Sequence, residues 1–98
     1  MLTSKQRSYL KGIAAKEDTI IHIGKSGITD NLVTQARDAL KAREIIKGKV
    51  LENSLLSARE VCEELAGLCS AEPVQFIGSK FVLYKKNSEL ENGIKLPR

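Results

Sequence analysis

Apolar positions change period several times along the 98-residue chain, and each change marks an element. Leu10, Ile13 and Ala14 recur at helical spacing, with Tyr9 at the edge of the face. Leu2-Thr3-Ser4-Lys5-Gln6 opens that helix, with Thr3 as N-cap and Gln6 at the capping-box position, and Glu17-Asp18 ends it. Ile20 to Ile23, three isoleucines and a histidine, reads as a short strand. After Gly27, Thr29 or Asp30 caps a second helix. Its Leu32, Val33, Ala36, Ala39 and Leu40 follow the i, i+3, i+4, i+7 rule, and the stem of Arg43 extends the stripe.

From Glu44 to Leu51 the period becomes two. Ile46, Gly48 and Val50 point one way, Lys47 and Lys49 the other. Ser57 to Glu60 is a capping box for a third helix, with Val61, Leu65, Ala66 and Leu68 on its apolar face and Glu60, Glu63 and Glu64 on its polar one. Glu72-Pro73 breaks the pattern. Val74 to Ile77 and Lys80 to Lys85 read as two strands joined at Gly78-Ser79. The order αβαβαββ predicts an α/β (α+β) fold. The βαβ steps imply parallel neighbours with right-handed crossovers, and the hairpin adds an antiparallel pair. The result is a four-stranded mixed sheet with three helices. Residues 1–86 read as one domain, and 87–98, without periodicity, as a mobile or loosely docked tail.

Composition narrows the function. At 42% apolar residues the chain can bury a core, although Phe76, Phe81, Tyr9 and Tyr84 are its only aromatics. No apolar run approaches the ~18 residues of a membrane span. The first residues lack a signal-peptide core, so a cytoplasmic protein without membrane attachment is expected. Cys62 and Cys69 lie two helical turns apart, about 10 Å along the axis, too far for a disulfide. They read as buried free thiols, and a metal site would need closer pairs and more ligands.

The net charge of +4 is unevenly spread: residues 1–50 carry a balance of +5 and residues 51–98 one of −1. A basic half beside a near-neutral one suggests a face for a polyanion.

The segment "IIHIGKSGITD", Ile20 to Asp30, carries the sharpest chemical signal. It is not a nucleotide-binding P-loop: that motif needs a glycine five residues before Gly24-Lys25, where this chain has Thr19. What remains is a strand, Gly24-Lys25-Ser26-Gly27, and a helix N-terminus, an arrangement suited to a phosphodiester backbone. A lone Gly-x-x-Gly is by itself more often an ordinary strand-to-helix turn. Arg37 and Lys41 lie one turn apart on the second helix, opposite its apolar residues. Lys47 and Lys49 share a strand face about 7 Å apart, close to the spacing of phosphates along one strand. Catalysis has little support. The one histidine, His22, reads as a structural imidazole within a strand, and no nucleophile–base pair suggests itself by spacing.

The segments "LTSKQRSYLKGIA", "IHIGKSGIT", "EIIKGKV", "VQFIGSKFVLYKK" and "IKLPR" together resemble the YhbY family, whose unit is the CRM (chloroplast RNA splicing and ribosome maturation) domain. The resemblance spans Leu2 to Arg98. It implies a fold similar to the C-terminal domain of bacterial translation initiation factor three, and a Gly-x-x-Gly loop like that with which KH domains clamp about four nucleotides. Members of the family associate with precursors of the large ribosomal subunit in bacteria, and related domains support group II intron splicing in plants. The resemblance implies neither cofactor nor catalysis.

Two positions depart from the family pattern. Gly48 stands where the family usually has an apolar β-branched residue, which predicts a locally weak or bulged strand. Interior strand glycine costs ~0.5–1 kcal/mol, so valine there is expected to stabilise. Lys85 stands where arginine commonly follows Leu-Tyr, keeping the charge without the bidentate fork. The resulting expectation is a non-enzymatic, monomeric RNA-binding protein of ribosome assembly. Gly24, Lys25, Ser26 and Gly27 would hold phosphates, with Arg37, Lys41, Lys47, Lys49 and Lys85 extending the basic track. With so few aromatics, binding would be backbone-dominated rather than by stacked bases. The alternative is an interaction module docking on a ribosomal protein or GTPase through the sheet face or hairpin.

Overall fold

The computed structural model describes residues 2–90 and 93–97, so the last residue of the family-like segment 94–98 lies outside the described residues. The three helices begin where their capping residues predict. In α1 (Ser4–Ala14) the Thr3 hydroxyl accepts the Gln6 N–H at 3.1 Å, and the Gln6 side chain accepts the Thr3 N–H at 3.0 Å. Thr29, not Asp30, caps α2 (Asp30–Arg43), taking the Leu32 N–H at 3.2 Å. In α3 (Ala58–Cys69) Ser57 and Glu60 form the reciprocal box, and hydrogen bonding of the Glu60 carboxyl to Ser57, the backbone N–H first and then the hydroxyl, holds it below its usual pKa.

The strands β1 (Thr19–Ile23), β2 (Ile45–Val50), β3 (Glu72–Ile77) and β4 (Lys80–Tyr84) form one sheet in the order β1-β2-β4-β3. β1 and β2 are the expected parallel neighbours across α2. The second crossover differs from expectation. β3 runs parallel to β2 but does not touch it, because β4 inserts between them and pairs antiparallel with both. The sequence of β4 explains this. Phe81, Val82, Leu83 and Tyr84 are all buried, and only a central position covers both faces of a strand. Pro73 does not end the pattern but lies inside β3, which is tolerated because β3 is an edge strand and its register shifts between Pro73 and Gln75.

Two cores result, one on each face of the sheet. Ile21, Ile23, Ile46, Val50, Phe81 and Leu83 meet α2 and α3, while Ile45, Val74, Val82 and Tyr84 meet Leu10 and Ala14 of α1. On α3 the buried stripe is Ala58, Val61, Cys62, Leu65, Ala66 and Cys69. Leu68, placed on that stripe by periodicity, is exposed, and so is Arg43 on α2. Both cysteines are free and buried. Burial, reinforced by the nearby Glu63 charge, pushes the Cys62 thiol up to about 11.

Three expectations change. Gly48 does not weaken β2, which runs unbroken. The register shift lies opposite it in β1, between Thr19 and Ile21. The glycine is needed because a Cβ there would stand 2.2 Å from Cζ of Phe81. Glu44 does not begin the strand but ends α2 in the left-handed conformation, φ 64°, and its side chain is buried. The tail is not loosely docked at its described residues. The Glu44 carboxylate accepts the N–H groups of Asn87 and Ile94, Gln6 Nε2 donates to Pro97 O at 3.1 Å, and Ile94 and Leu96 pack on the α1 core.

Candidate nucleic-acid interface

Parallel pairing of β1 with β2, and antiparallel pairing of β4, bring three chain segments to one end of the sheet. These are the loop after β1, the 51–57 loop after β2, and the β3–β4 turn at Gly78-Ser79 with Lys80 behind it. Backbone bonds tie them: Leu51 N–H donates to Ile23 O at 2.8 Å and Val50 N–H to Ser79 O at 2.7 Å.

Within the loop, Gly27 N–H donates to Gly24 O at 3.1 Å, closing a turn that leaves Lys25 and Ser26 exposed. The two glycines differ. Gly27 has φ +67°, which other residues adopt only with strain. Gly24 has no such conformation, and a Cβ there would make only ordinary contacts, 3.6 Å from Asn53 Oδ1 and 3.8 Å from Leu51 Cδ1. Its lack of a side chain keeps the surface low rather than making the turn possible. Behind the loop, Ile28 packs on the core, Thr29 caps α2, and Asp30 adds a carboxylate to the first turn, which offsets part of the attraction of that helix end for an anion.

Lys49 and Lys80 extend this end across the sheet. They are direct cross-strand partners, both exposed, and His22 is the partner of Lys49 on the other side. The row His22, Lys49, Lys80 therefore faces the α1 side of the sheet. Like charges directly opposite one another on adjacent strands are destabilising, and an anion between them removes the repulsion. Sequence reading missed Lys80 and treated His22 as structural. Only the strand register, which sequence does not display, brings them beside Lys49. Lys47 is one step further along the same face, its ammonium 3.5 Å from the Ala14 carbonyl at the end of α1.

Arg37, Lys41 and Lys85 lie apart from this cluster, around the second half of α2 and the end of β4. Two of them hold helix ends. Arg37 Nη2 donates to Leu68 O at 2.7 Å and Lys85 Nζ to Cys69 O at 3.0 Å. The last turn of α3 carries no basic residue of its own, so these cations from other elements meet its terminal carbonyls. The Lys41 carbonyl accepts the Asn87 amide at 2.7 Å. Lys85 is thus a helix-capping cation, a role for which a single ammonium suffices.

Among the described residues no group of three His, Cys, Asp or Glu side chains could hold a metal ion, and no helix is long and apolar enough to cross a membrane. The geometry defines a small α+β domain with a lysine-bearing strand-to-helix turn and a lysine row at one end of its sheet. The chain belongs to the CRS1 / YhbY (CRM) domain family, whose profile matches residues 2–85. It is 40% identical over 97 residues to the Bacillus subtilis (strain 168) protein named "Probable RNA-binding protein YqeI", covering 99% of this chain and 100% of that one. A Haemophilus influenzae relative named "RNA-binding protein" is 31% identical over 97 residues, covering 99% and 96% of the two chains. The solution structure of SAV1595 from Staphylococcus aureus matches with a TM-score of 0.73 at 42% identity, covering 99% of this chain and 100% of that one.

Proposed function

We propose that this protein binds RNA without catalysis, through the phosphate backbone, and acts in ribosome assembly on ribosomal RNA of large-subunit precursors. The observation that carries the RNA reading is the convergence of Lys25, Lys49 and Lys80 on one end of the sheet, beside a turn whose Gly24 has room for a side chain and none. Relatives named as RNA-binding proteins match 99% of the chain, which supports the same partner. The ribosomal assignment rests on the family resemblance of the five sequence segments. Each lysine that neutralises one phosphate releases counterions, so affinity falls steeply with salt. Phosphate contacts position a protein but do not specify sequence.

The test is co-sedimentation of the purified protein with large-subunit precursor particles over a salt series, followed by cross-linking and sequencing of the attached RNA. Salt-sensitive association, with cross-links from the Lys25 turn into large-subunit ribosomal RNA, is the expected result. Association that is insensitive to salt and cross-links only to protein would replace it with a protein-docking role.

A further inference from the structure

The sheet face under α1 is closed at only one end. Beyond the last turn of α1 an open groove crosses it, with Ala15, Ile77 and Val82 on its floor and Lys11, Lys47 and Lys80 around it. Ile77 is 65% exposed, an aliphatic side chain with nothing over it. Among the described residues no carboxylate lines the groove. The Lys49–Lys80 pair joins it to the loop end, because Lys80 belongs to both. Lys47 offers three donors and uses one on the Ala14 carbonyl. Gln75, also in the lining, brings an amide donor and acceptor to the same place.

An apolar floor ringed by cations and one amide matches the chemistry of a nucleotide: a flat base with anionic groups on either side. We propose that this groove takes one unpaired base of the bound RNA on the exposed side chain of Ile77, with the flanking phosphates on Lys80, Lys47 and Lys11. The proposal deepens the RNA reading and rests on it. It also makes the binding selective for single-stranded segments at one point along an otherwise backbone-guided path, because a base paired in a duplex cannot turn into the groove. The contact is aliphatic. The Phe81 ring is buried on the opposite face of the sheet, against α2 and α3, and offers no face for stacking.

The test compares a single-stranded uridine oligomer with a duplex of similar length, by fluorescence anisotropy, for the intact chain and for Ile77→Ser, Lys80→Glu and Lys25→Ala. Ile77→Ser alters no charge. It should weaken single-strand binding roughly five- to tenfold, the scale of one lost base contact, with an unchanged salt slope and no effect on the duplex. Lys80→Glu should weaken both ligands. One abasic nucleotide in the oligomer should reproduce the Ile77→Ser loss and add nothing to it.

Unchanged single-strand affinity in Ile77→Ser, with Lys25→Ala still weakening it, would empty the groove of any base and leave the loop reading standing. Equal losses on both ligands, or displacement of the RNA by oligoglutamate of matching charge, would reduce the groove to a plain polyanion surface and overturn the proposal. An intact chain that binds neither RNA would defeat the RNA reading itself.

Discussion

The ring of Phe81 fills the space in which Gly48 would carry a side chain. The two residues are cross-strand partners on β4 and β2, and a Cβ on Gly48 would lie 2.2, 2.5 and 2.7 Å from three ring atoms. Phe81 is fully buried between the sheet and the helices α2 and α3, so the ring has nowhere to move. The entropic gain from replacing a strand glycine, ~0.5–1 kcal/mol, is therefore outweighed by overpacking, which typically costs ~1–3 kcal/mol. Gly48→Val should lower the denaturant midpoint. Gly48→Val combined with Phe81→Leu should recover part of the loss, and a non-additive double-mutant cycle would show that the two positions share one volume.

Local features of the fold were legible in the sequence, and long-range ones were not. The boxes Thr3–Gln6 and Ser57–Glu60 involve residues three apart, so the sequence displays them directly. The insertion of β4 between β2 and β3 depends on which strand needs both faces covered, a competition among distant segments. The same applies to the site. The Gly24–Gly27 turn is contiguous and could be read, whereas the Lys49–Lys80 pair exists only through register. Arg37 and Lys85 are exposed as expected, but their partners, the carbonyls of Leu68 and Cys69, are backbone atoms that a pattern of side chains cannot reveal.

Glu44 is expected to hold the tail. A left-handed residue other than glycine costs roughly 1–2 kcal/mol, yet this position carries a glutamate because its carboxylate meets two backbone N–H groups. Glu44→Ala keeps the strained backbone and leaves the amides of Asn87 and Ile94 without their acceptor. It should cost about 2 kcal/mol and accelerate hydrogen exchange at both amides. Unchanged exchange at Ile94 would mean that Ile94 and Leu96 hold the tail by packing alone.

The Cys62 thiol gives a pH dependence with a definite sign. Its pKa is raised from 9.0 to about 11, chiefly by burial. Between those values the unfolded chain has lost the proton and the folded chain keeps it. The stabilisation is whole below pH 9.0 and is lost as pH rises toward about 11. The slope attributable to this group is at most ~1.4 kcal/mol per pH unit. Cys62→Ala should flatten that segment of the stability curve while lowering stability at neutral pH through the cavity it leaves. A variant whose alkaline slope matches the parent would assign the loss to other groups.

The loop glycines separate folding from binding. Gly27 cannot be replaced cleanly, since its φ of +67° strains any side chain. Gly24 can: the space is open to a Cβ, so Gly24→Ala and Gly24→Asp should both fold with nearly unchanged stability. If a phosphate approaches the turn between Gly24 and Gly27, the methyl group should weaken RNA binding slightly and the carboxylate strongly. The Asp variant sets a like charge against the phosphate beside Asp30, so its loss should exceed that of Lys25→Ala, by about 2 kcal/mol or more. Lys25→Ala should instead reduce the log–log salt slope by roughly 0.7 to 0.9, the value of one phosphate contact.

Two controls fix the interpretation. Lys85→Met removes the cation at the end of α3 and should lower stability while leaving the salt slope intact, because that ammonium serves the Cys69 carbonyl. Glu63→Lys on the exposed face of α3, where Glu63 pairs with Arg59 in the i, i+4 register, should change neither. Titrations at several salt concentrations, with denaturant midpoints for every variant, distinguish the outcomes. If Gly24→Asp and Lys25→Ala fold and bind RNA with the parental affinity and slope, the turn only connects β1 to α2, and the phosphates lie on the lysines of the sheet instead.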